Sequence, residues 1–326
     1  MANTFLKPTV IANMAVGLLY RELVVARTVW TDAINPGEFV GALDDTVSMR
    51  VPARRTARKR VLRAGTAITN DASVEFSVPV QLTTDVYNGA PITDEEFTLD
   101  IKDFGAQILK PQIQAVAEGL EDEIIDEIQG ATYPAAMQIN ADATDMVVSG
   151  KTDWYLVAAR ARRKLNDKHV ARADRTLLVS SLVEEQIITS DRFSRNDSIG
   201  ASATDALAEG SIGRIAGFNV IPCADLDDGE AYAYHRTAFV LAARAPKVPQ
   251  GVSMGTTRGL SEAQGEIGFW SCIGVRWIMD YDYTNTTDRS LVNTWVGTAT
   301  VTDPDAPTNP ASTKSLMRAV KVTNGS

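Results

Sequence analysis

Apolar residues between Ile92 and Gln129 recur every three or four positions: Phe97, Ile101, Phe104 and Ile108, then Leu109, Ile113, Val116, Leu120, Ile124 and Ile128. That spacing lays one continuous stripe along a helix and predicts the longest rod of the molecule over 93–129. Thr93, with Glu96 three residues on, forms a capping-box pattern at its start. Pro111 removes a backbone donor and sets its ring against the carbonyl of Gln107, so a kink or two abutting helices are expected there. A second helical pattern covers 152–168. It places Trp154, Val157, Ala158, Ala161 and Leu165 on one face, with Arg160, Arg162, Arg163, Lys164 and Lys168 suited to its C-terminal end. Residues 9–27 read as a largely apolar helix entered through Pro8, and 181–189 as a short one.

Alternation with a period of two marks the strands. Val47, Met49 and Val51 alternate with polar neighbours, and Val74, Phe76, Val78, Val80 and Leu82 alternate strictly, predicting two long strands over 46–51 and 73–82. Pro79 places the second on an edge or in an exposed ribbon. After a polar connection at 131–150, Thr176 to Val179 reads as a buried strand, 210–221 as a glycine-punctuated turn into a strand, and 237–243 as a last strand. Strands alternating with helices indicate a second lobe of mixed α/β type. Residues 246–265 read as a Pro/Gly-rich loop, 267–301 as β structure with a turn at 281–288, and 316–322 as a final apolar piece.

At 326 residues the chain exceeds one ordinary domain, which favours two lobes. Its formal charge of −9 gives no general attraction to nucleic acid or anionic membrane. The apolar run Val10 to Leu19 is too short to span a bilayer, and Cys223 and Cys272 have no disulfide-framework or CxxC spacing, so a reducing, cytosolic setting is expected. Two local charge anomalies stand out against this ordinary composition. From the end of the first strand to Gly65 lie Arg50, Arg54, Arg55, Arg58, Lys59, Arg60 and Arg63 without one acid. At the far end of the rod, Glu118, Glu121, Asp122, Glu123, Asp126 and Glu127 oppose the helix dipole, and no Lys or Arg occurs from 111 to 150.

Signatures of catalysis are weak. Gly251-Val252-Ser253-Met254-Gly255 spells the nucleophile-elbow pattern, but its flanks are not strand and helix and no histidine follows Ser253. His169 and His235 lack metal-ligand or catalytic spacing and are expected to be structural. Asp225, Asp227, Asp228 and Gly229, like Asp280, Asp282 and Thr284, miss the glycine position of a calcium loop and read as polar turns. No phosphate-loop motif occurs, and the glycines of 210–217 lack the dinucleotide-binding context. Neither enzyme activity nor a cofactor or metal is expected.

The order of the parts carries more than any motif. KPTVIANMAVGLLYRELVVA, LDDTVSMRVP, the stretch from VPVQLTTDVYNGAPITDEEF to AVAEGLEDEI, EGSIGRIAGFNVIPCADL and DYDYTNTTDRSLVNTWVGTATV together resemble the major capsid (coat) proteins of tailed bacteriophages with the Hong Kong 97-like fold. The similarity is to the podophage branch that assembles with a separate scaffolding protein. The resemblance implies an α+β chain with an N-terminal arm at 1–46, an extended β-hairpin loop at 47–86, a P-domain with a long spine helix at 87–130 and 246–326, and an α/β A-domain at 131–245. The arm begins almost at Met1, which leaves no room for a fused scaffold.

It further implies a virion protein, assembled in the host cytoplasm, that forms pentamers and hexamers of an icosahedral shell. That shell would enclose double-stranded DNA without sequence-specific binding and without membrane contact. A scaffolding protein, a portal and optionally a decoration protein would be its partners. Alternatives are an encapsulin-like nanocompartment shell, a nucleic-acid-binding protein using the arginine arm, and a hydrolase at Ser253. The two charge anomalies suggest one intersubunit contact, with Arg54, Arg55, Arg58, Lys59, Arg60 and Arg63 of one subunit docked on Glu118, Glu121, Asp122, Glu123, Asp126 and Glu127 of the next.

Overall fold

A computed structural model describes residues 24–31, 46–51, 57–63, 67–68, 75–96, 104–148, 151–190, 213–252, 254–259, 274–282, 284–305 and 313–324. The predicted ribbon is present: β1 (Thr46–Val51) pairs antiparallel with β2 (Phe76–Gln81), and Pro79 stands opposite Ser48. Among the described residues each is flanked on one side only, which suits Pro79 in β2. Its base is not free-standing. Met49, Val51, Val78 and Val80 are buried with Val240, Ala242 and Val301 of the same chain, because alternation gives the ribbon one apolar face that must be covered.

Next in the chain comes β3 (Thr84–Thr93), a strand the sequence reading did not foresee, since Asn88-Gly89-Ala90-Pro91 spells a turn. It forms because it is an edge strand, which tolerates proline, and it pairs along its whole length with β14 (Thr287–Thr300). The capping box closes as expected, with Thr93 N–H donating to Glu96 at 2.9 Å and Glu96 N–H to Thr93 Oγ1 at 3.3 Å. Residues 97–103, with Phe97 and Ile101, lie outside the described residues. From Phe104 the rod runs without a sharp break: a π turn over Gly105–Leu109 leads into α1 (Lys110–Gly130). The expected kink at Pro111 is absorbed one turn earlier. Lys110 N–H reaches back five residues to Gly105 O, and the widened turn makes room for the proline ring.

Leu109, Ile113, Val116, Leu120, Ile124 and Ile128 are buried along one side of α1. They face a five-stranded antiparallel sheet in the order β11 (Phe239–Arg244), β14, β13 (Gly274–Asp282), β12 (Met254–Gly259), with β3 added on β14. Strand β12 occupies part of the stretch read as loop, where Gly255 and Gly259 hid its pattern. Helix and sheet are also joined by a buried polar network missed in the sequence. Gln112 donates to Ser290 O at 2.9 Å and accepts from Ser290 Oγ at 2.8 Å, and Trp277 Nε1 donates to Ser290 Oγ at 3.0 Å.

The second lobe is a six-stranded mixed sheet, ordered β4 (Gln138–Asn140), β17 (Ala319–Thr323), β10 (Glu230–His235), β7 (Arg175–Val179), β9 (Phe218–Pro222), β8 (Arg214–Ile215). Against it pack α2 (Trp154–Asp167), whose five predicted face residues are all buried, and α3 (Ser181–Ile188). Asp153 caps α2 by accepting from the N–H groups of Tyr155 and Leu156. Small ribbons, β5 (Val147–Val148) with β6 (Lys151–Thr152) and β15 (Asp303–Pro304) with β16 (Lys314–Ser315), complete the described elements.

Strand β10 had no signal of alternation, because its core Ala-Tyr-Ala-Tyr is buried on both faces between β17 and β7. The sheets also ignore sequence order. Strand β11 leaves the second lobe to pair with β14, and β17 returns from the C-terminal region to sit inside the six-stranded sheet. The expected helix over 9–27 is described only at its end, where Ala26–Thr28 form a 3₁₀ turn with Ala26 buried against α1.

Candidate functional site

Helix periodicity splits the six acids of α1 into two groups. Glu118, Asp122 and Asp126, four residues apart, form an exposed stripe, whereas Glu121, Glu123 and Glu127 turn toward the chain itself. Glu127 accepts hydrogen bonds from Thr300 Oγ1 at 2.5 Å and Thr298 Oγ1 at 3.4 Å, tying α1 to β14. Glu123 accepts from Thr84 Oγ1 at 3.2 Å, at the start of β3. Glu121 accepts three backbone N–H bonds, from Val24 at 2.5 Å, Val25 at 2.7 Å and Ala26 at 3.3 Å. It thereby clasps the end of the arm, supplying the acceptor that the first amides of a 3₁₀ turn lack. Burial pushes the pKa of Glu121 up, against the opposite pull of these amides and of the Arg27 charge.

No basic side chain from 111 to 150 neutralises the acidic end, but half of it is taken up by neutral partners distant in sequence. Three acids are structural, and their partners are hydroxyls and amides rather than basic side chains. No sequence signal could have shown this, because Val24 lies 97 residues from Glu121. On the exposed stripe the Asp122 pKa is raised, by partial burial and then by the charges of Asp225 and Asp126. The stripe is thus a surface of like charge.

Arg58, Lys59, Arg60 and Arg63 of the basic stretch are all exposed, and Arg54 and Arg55 lie outside the described residues. Beside them Val61 and Leu62 are 75% and 83% exposed, so the stretch presents apolar as well as cationic groups. The partners described for the acids lie on β3, β14 and the 24–26 backbone, not on this stretch. At the ribbon base Arg50 pairs with Glu75.

No family model and no curated protein matches the sequence. Solved structures do. A structure from Mycobacterium phage Che8 superposes with a TM-score of 0.56 at 16% identity, covering 92% of this chain and 90% of that one. The capsid of cyanophage P-SCSP1u gives 0.57 at 11% identity, with 93% and 88% covered, and the capsid of Ralstonia phage GP4 gives 0.57 at 12%, with 87% and 85% covered. The chain has the fold of phage capsid subunits. Identity this low leaves the likeness to topology, and the topology is shared over nearly the whole of both chains.

Within the capsid fold the remaining sequence candidates take local roles. Ser253 and Cys272 lie outside the described residues, and Cys223 is buried, which raises its pKa. His169 and His235, distant in sequence, line one cavity of about 450 Å³. His235 caps a 3₁₀ turn, with Nδ1 2.9 Å from Thr237 Oγ1, and burial followed by the Arg318 charge lowers its pKa. Asp282 accepts from Thr284 N–H and from Asn285 Nδ2, both at 2.9 Å, and so builds the 284–286 turn. Gly229 takes a φ of 80° in the turn before β10, where its N–H donates to Ser180 Oγ.

Proposed function

We propose that this chain is the coat protein of a tailed phage: a structural subunit, not an enzyme, of which many copies build a closed icosahedral shell of pentamers and hexamers around double-stranded DNA. What supports the reading is the topology shared over about nine-tenths of the chain with the capsids of cyanophage P-SCSP1u and Ralstonia phage GP4. In this reading 1–46 is the arm, 47–86 the extended loop, 87–130 with 246–326 the P-domain and 131–245 the A-domain, with β11 crossing into the P-domain sheet and β17 into the A-domain sheet. A scaffolding protein directs assembly and a portal occupies one vertex.

The contact proposed between subunits sets the basic stretch on the exposed acidic stripe of a neighbour. Arg54, Arg55, Arg58, Lys59, Arg60 and Arg63 supply the cations, and Glu118, Asp122 and Asp126 the anions. Exposed ion pairs contribute about 0.2–1 kcal/mol each, so three pairs give roughly 0.6–3 kcal/mol per contact and a shell draws its strength from repetition. Weak contacts also let misplaced subunits dissociate during assembly.

The test is electron microscopy of the protein expressed alone and with its scaffolding partner. Closed shells are expected, fewer at high salt. Arg58→Glu with Arg60→Glu should abolish them without unfolding the subunit, and adding Asp122→Arg with Asp126→Arg should restore some. Only monomers under every condition would refute the shell reading. Normal shells from the arginine reversal would refute the contact alone.

A further inference from the structure

A second concentration of positive charge lies away from the basic stretch, where the end of the arm meets the second lobe. A cavity of about 560 Å³ is lined there by Arg27, Arg172, Arg175, Arg214 and Arg236, and among its described lining residues the only carboxylate is Asp174. Four separate parts of the chain deliver these residues: the 3₁₀ turn at 26–28, the loop entering β7, the β8 hairpin, and the turn after β10. Tertiary structure alone brings them together, in a chain whose net charge is −9.

The cavity is held in shape before anything enters it. Arg175, 4% exposed, donates to Ala171 O at 2.7 Å, Val170 O at 2.8 Å and Asn166 Oδ1 at 2.9 Å, so its guanidinium is fixed by neutral acceptors that leave its charge in place. Arg236 N–H donates to Asp174 O at 3.0 Å, joining two walls. Arg162, hydrogen-bonded to Ala216 O at 3.0 Å, adds a further cation beside Gly217. The Arg175 pKa is lowered first by burial and then by the charges of Arg162 and Arg172, which registers the mutual repulsion. Arg172 and Arg214 are exposed and stand at the mouth.

We propose that this cavity is a binding site for a phosphate-bearing anion. Its size falls within the roughly 300–1,000 Å³ of small-ligand sites. A guanidinium fork meets phosphate oxygens with two parallel donors. A terminal phosphate carries about two charges and three acceptor oxygens on one centre, which matches several arginines around a small volume. Carboxylates bring one charge each, and the acids of the exposed α1 stripe are spread along a rigid helix. The phosphate can come from a small molecule or from a nucleic-acid backbone. The inference does not rest on the shell reading.

The test uses the full-length, unassembled protein and inorganic pyrophosphate, followed by titration calorimetry at low and high salt. One saturable site per chain is expected, weakened by salt. Arg172→Ser with Arg214→Ser, both at exposed positions, should weaken it roughly tenfold or more, the equivalent of one charge-assisted hydrogen bond. Asp174→Asn should tighten it, and asparagine tolerates the positive φ of 51° at that position. Arg58→Ser with Arg60→Ser should leave it unchanged.

Competition by oligothymidylates with and without a 5′-phosphate separates the sources. Displacement by both assigns the site to a nucleic-acid backbone, by the phosphorylated one alone to a terminal phosphate, and by neither to a small free anion. Absence of saturable binding by the folded wild type would overturn the proposal. So would equal affinity in the Arg172/Arg214 variant, or loss of binding in the Arg58/Arg60 variant.

Discussion

Replacing Glu121 by alanine removes the carboxylate that ties the 24–26 backbone to the central helix. Val24 is 49% exposed and its amide recovers water, but Val25 and Ala26 are 3% and 0% exposed and theirs do not. Each buried N–H left without an acceptor costs about 1–3 kcal/mol, so Glu121→Ala should cost about 2–5 kcal/mol even after the carboxylate's own burial is relieved. Glu121→Gln keeps one acceptor oxygen in place and should cost about 1 kcal/mol. The loss should be local before it is global. Val25, Ala26 and Val29 belong to the same core cluster as Leu120 and Ile124, so release of the arm uncovers that side of α1. Urea unfolding of the unassembled subunit gives the stability change, and amide hydrogen exchange over 25–31 reports the release. Wild-type protection of Val25 and Ala26 in Glu121→Ala, with stability changed by less than about 0.5 kcal/mol, would refute the clasp.

Two other substitutions test the packing and the charge stripe. At Gly297 an added Cβ would stand 2.1 Å from Gln81 O, a backbone atom that cannot swing aside, so Gly297→Ala should destabilise by about 1–3 kcal/mol and loosen the ribbon base, read by urea unfolding and by exchange over 76–81. Asp122→Asn should stabilise the unassembled subunit near neutral pH by about 0.2–0.5 kcal/mol, the scale of one like-charge pair four residues apart on a helix. The sign follows from its raised folded-state pKa. The native state then holds the proton more tightly than the unfolded chain, so the penalty is fully present above the folded pKa and fades as pH falls through it. A gain that persists unchanged down to pH 3 would show that charge is not its cause.

The sequence determined the elements whose pattern is local and whose faces differ. The stripe from Leu109 to Ile128, the face of α2, the capping box at Thr93 and the alternation of β1 and β2 were all readable, because one buried side imposes a period on the chain. Patterns fail where both faces are buried or where position in a sheet overrides composition. Strand β10, apolar on both sides, and β3, with a turn-like Asn-Gly-Ala-Pro on a sheet edge, gave no usable signal. Sheet membership was equally hidden. Nothing in 239–244 or 319–323 states which lobe they join, since that is settled by distant partners, Thr300 facing Phe239 across 61 positions and Thr323 facing Glu230 across 93.

Charge divided the same way. Composition located the six acids of α1, but only the fold decided that Glu121, Glu123 and Glu127 are consumed by amides and hydroxyls while Glu118, Asp122 and Asp126 remain exposed. The arginine cavity had no linear signature at all, because Arg27, Arg172, Arg214 and Arg236 are neighbours only once the 24–28 segment packs on the second lobe. Short-range periodicity is written residue by residue, whereas a site assembled from distant segments exists only as the sum of the contacts that fold the chain.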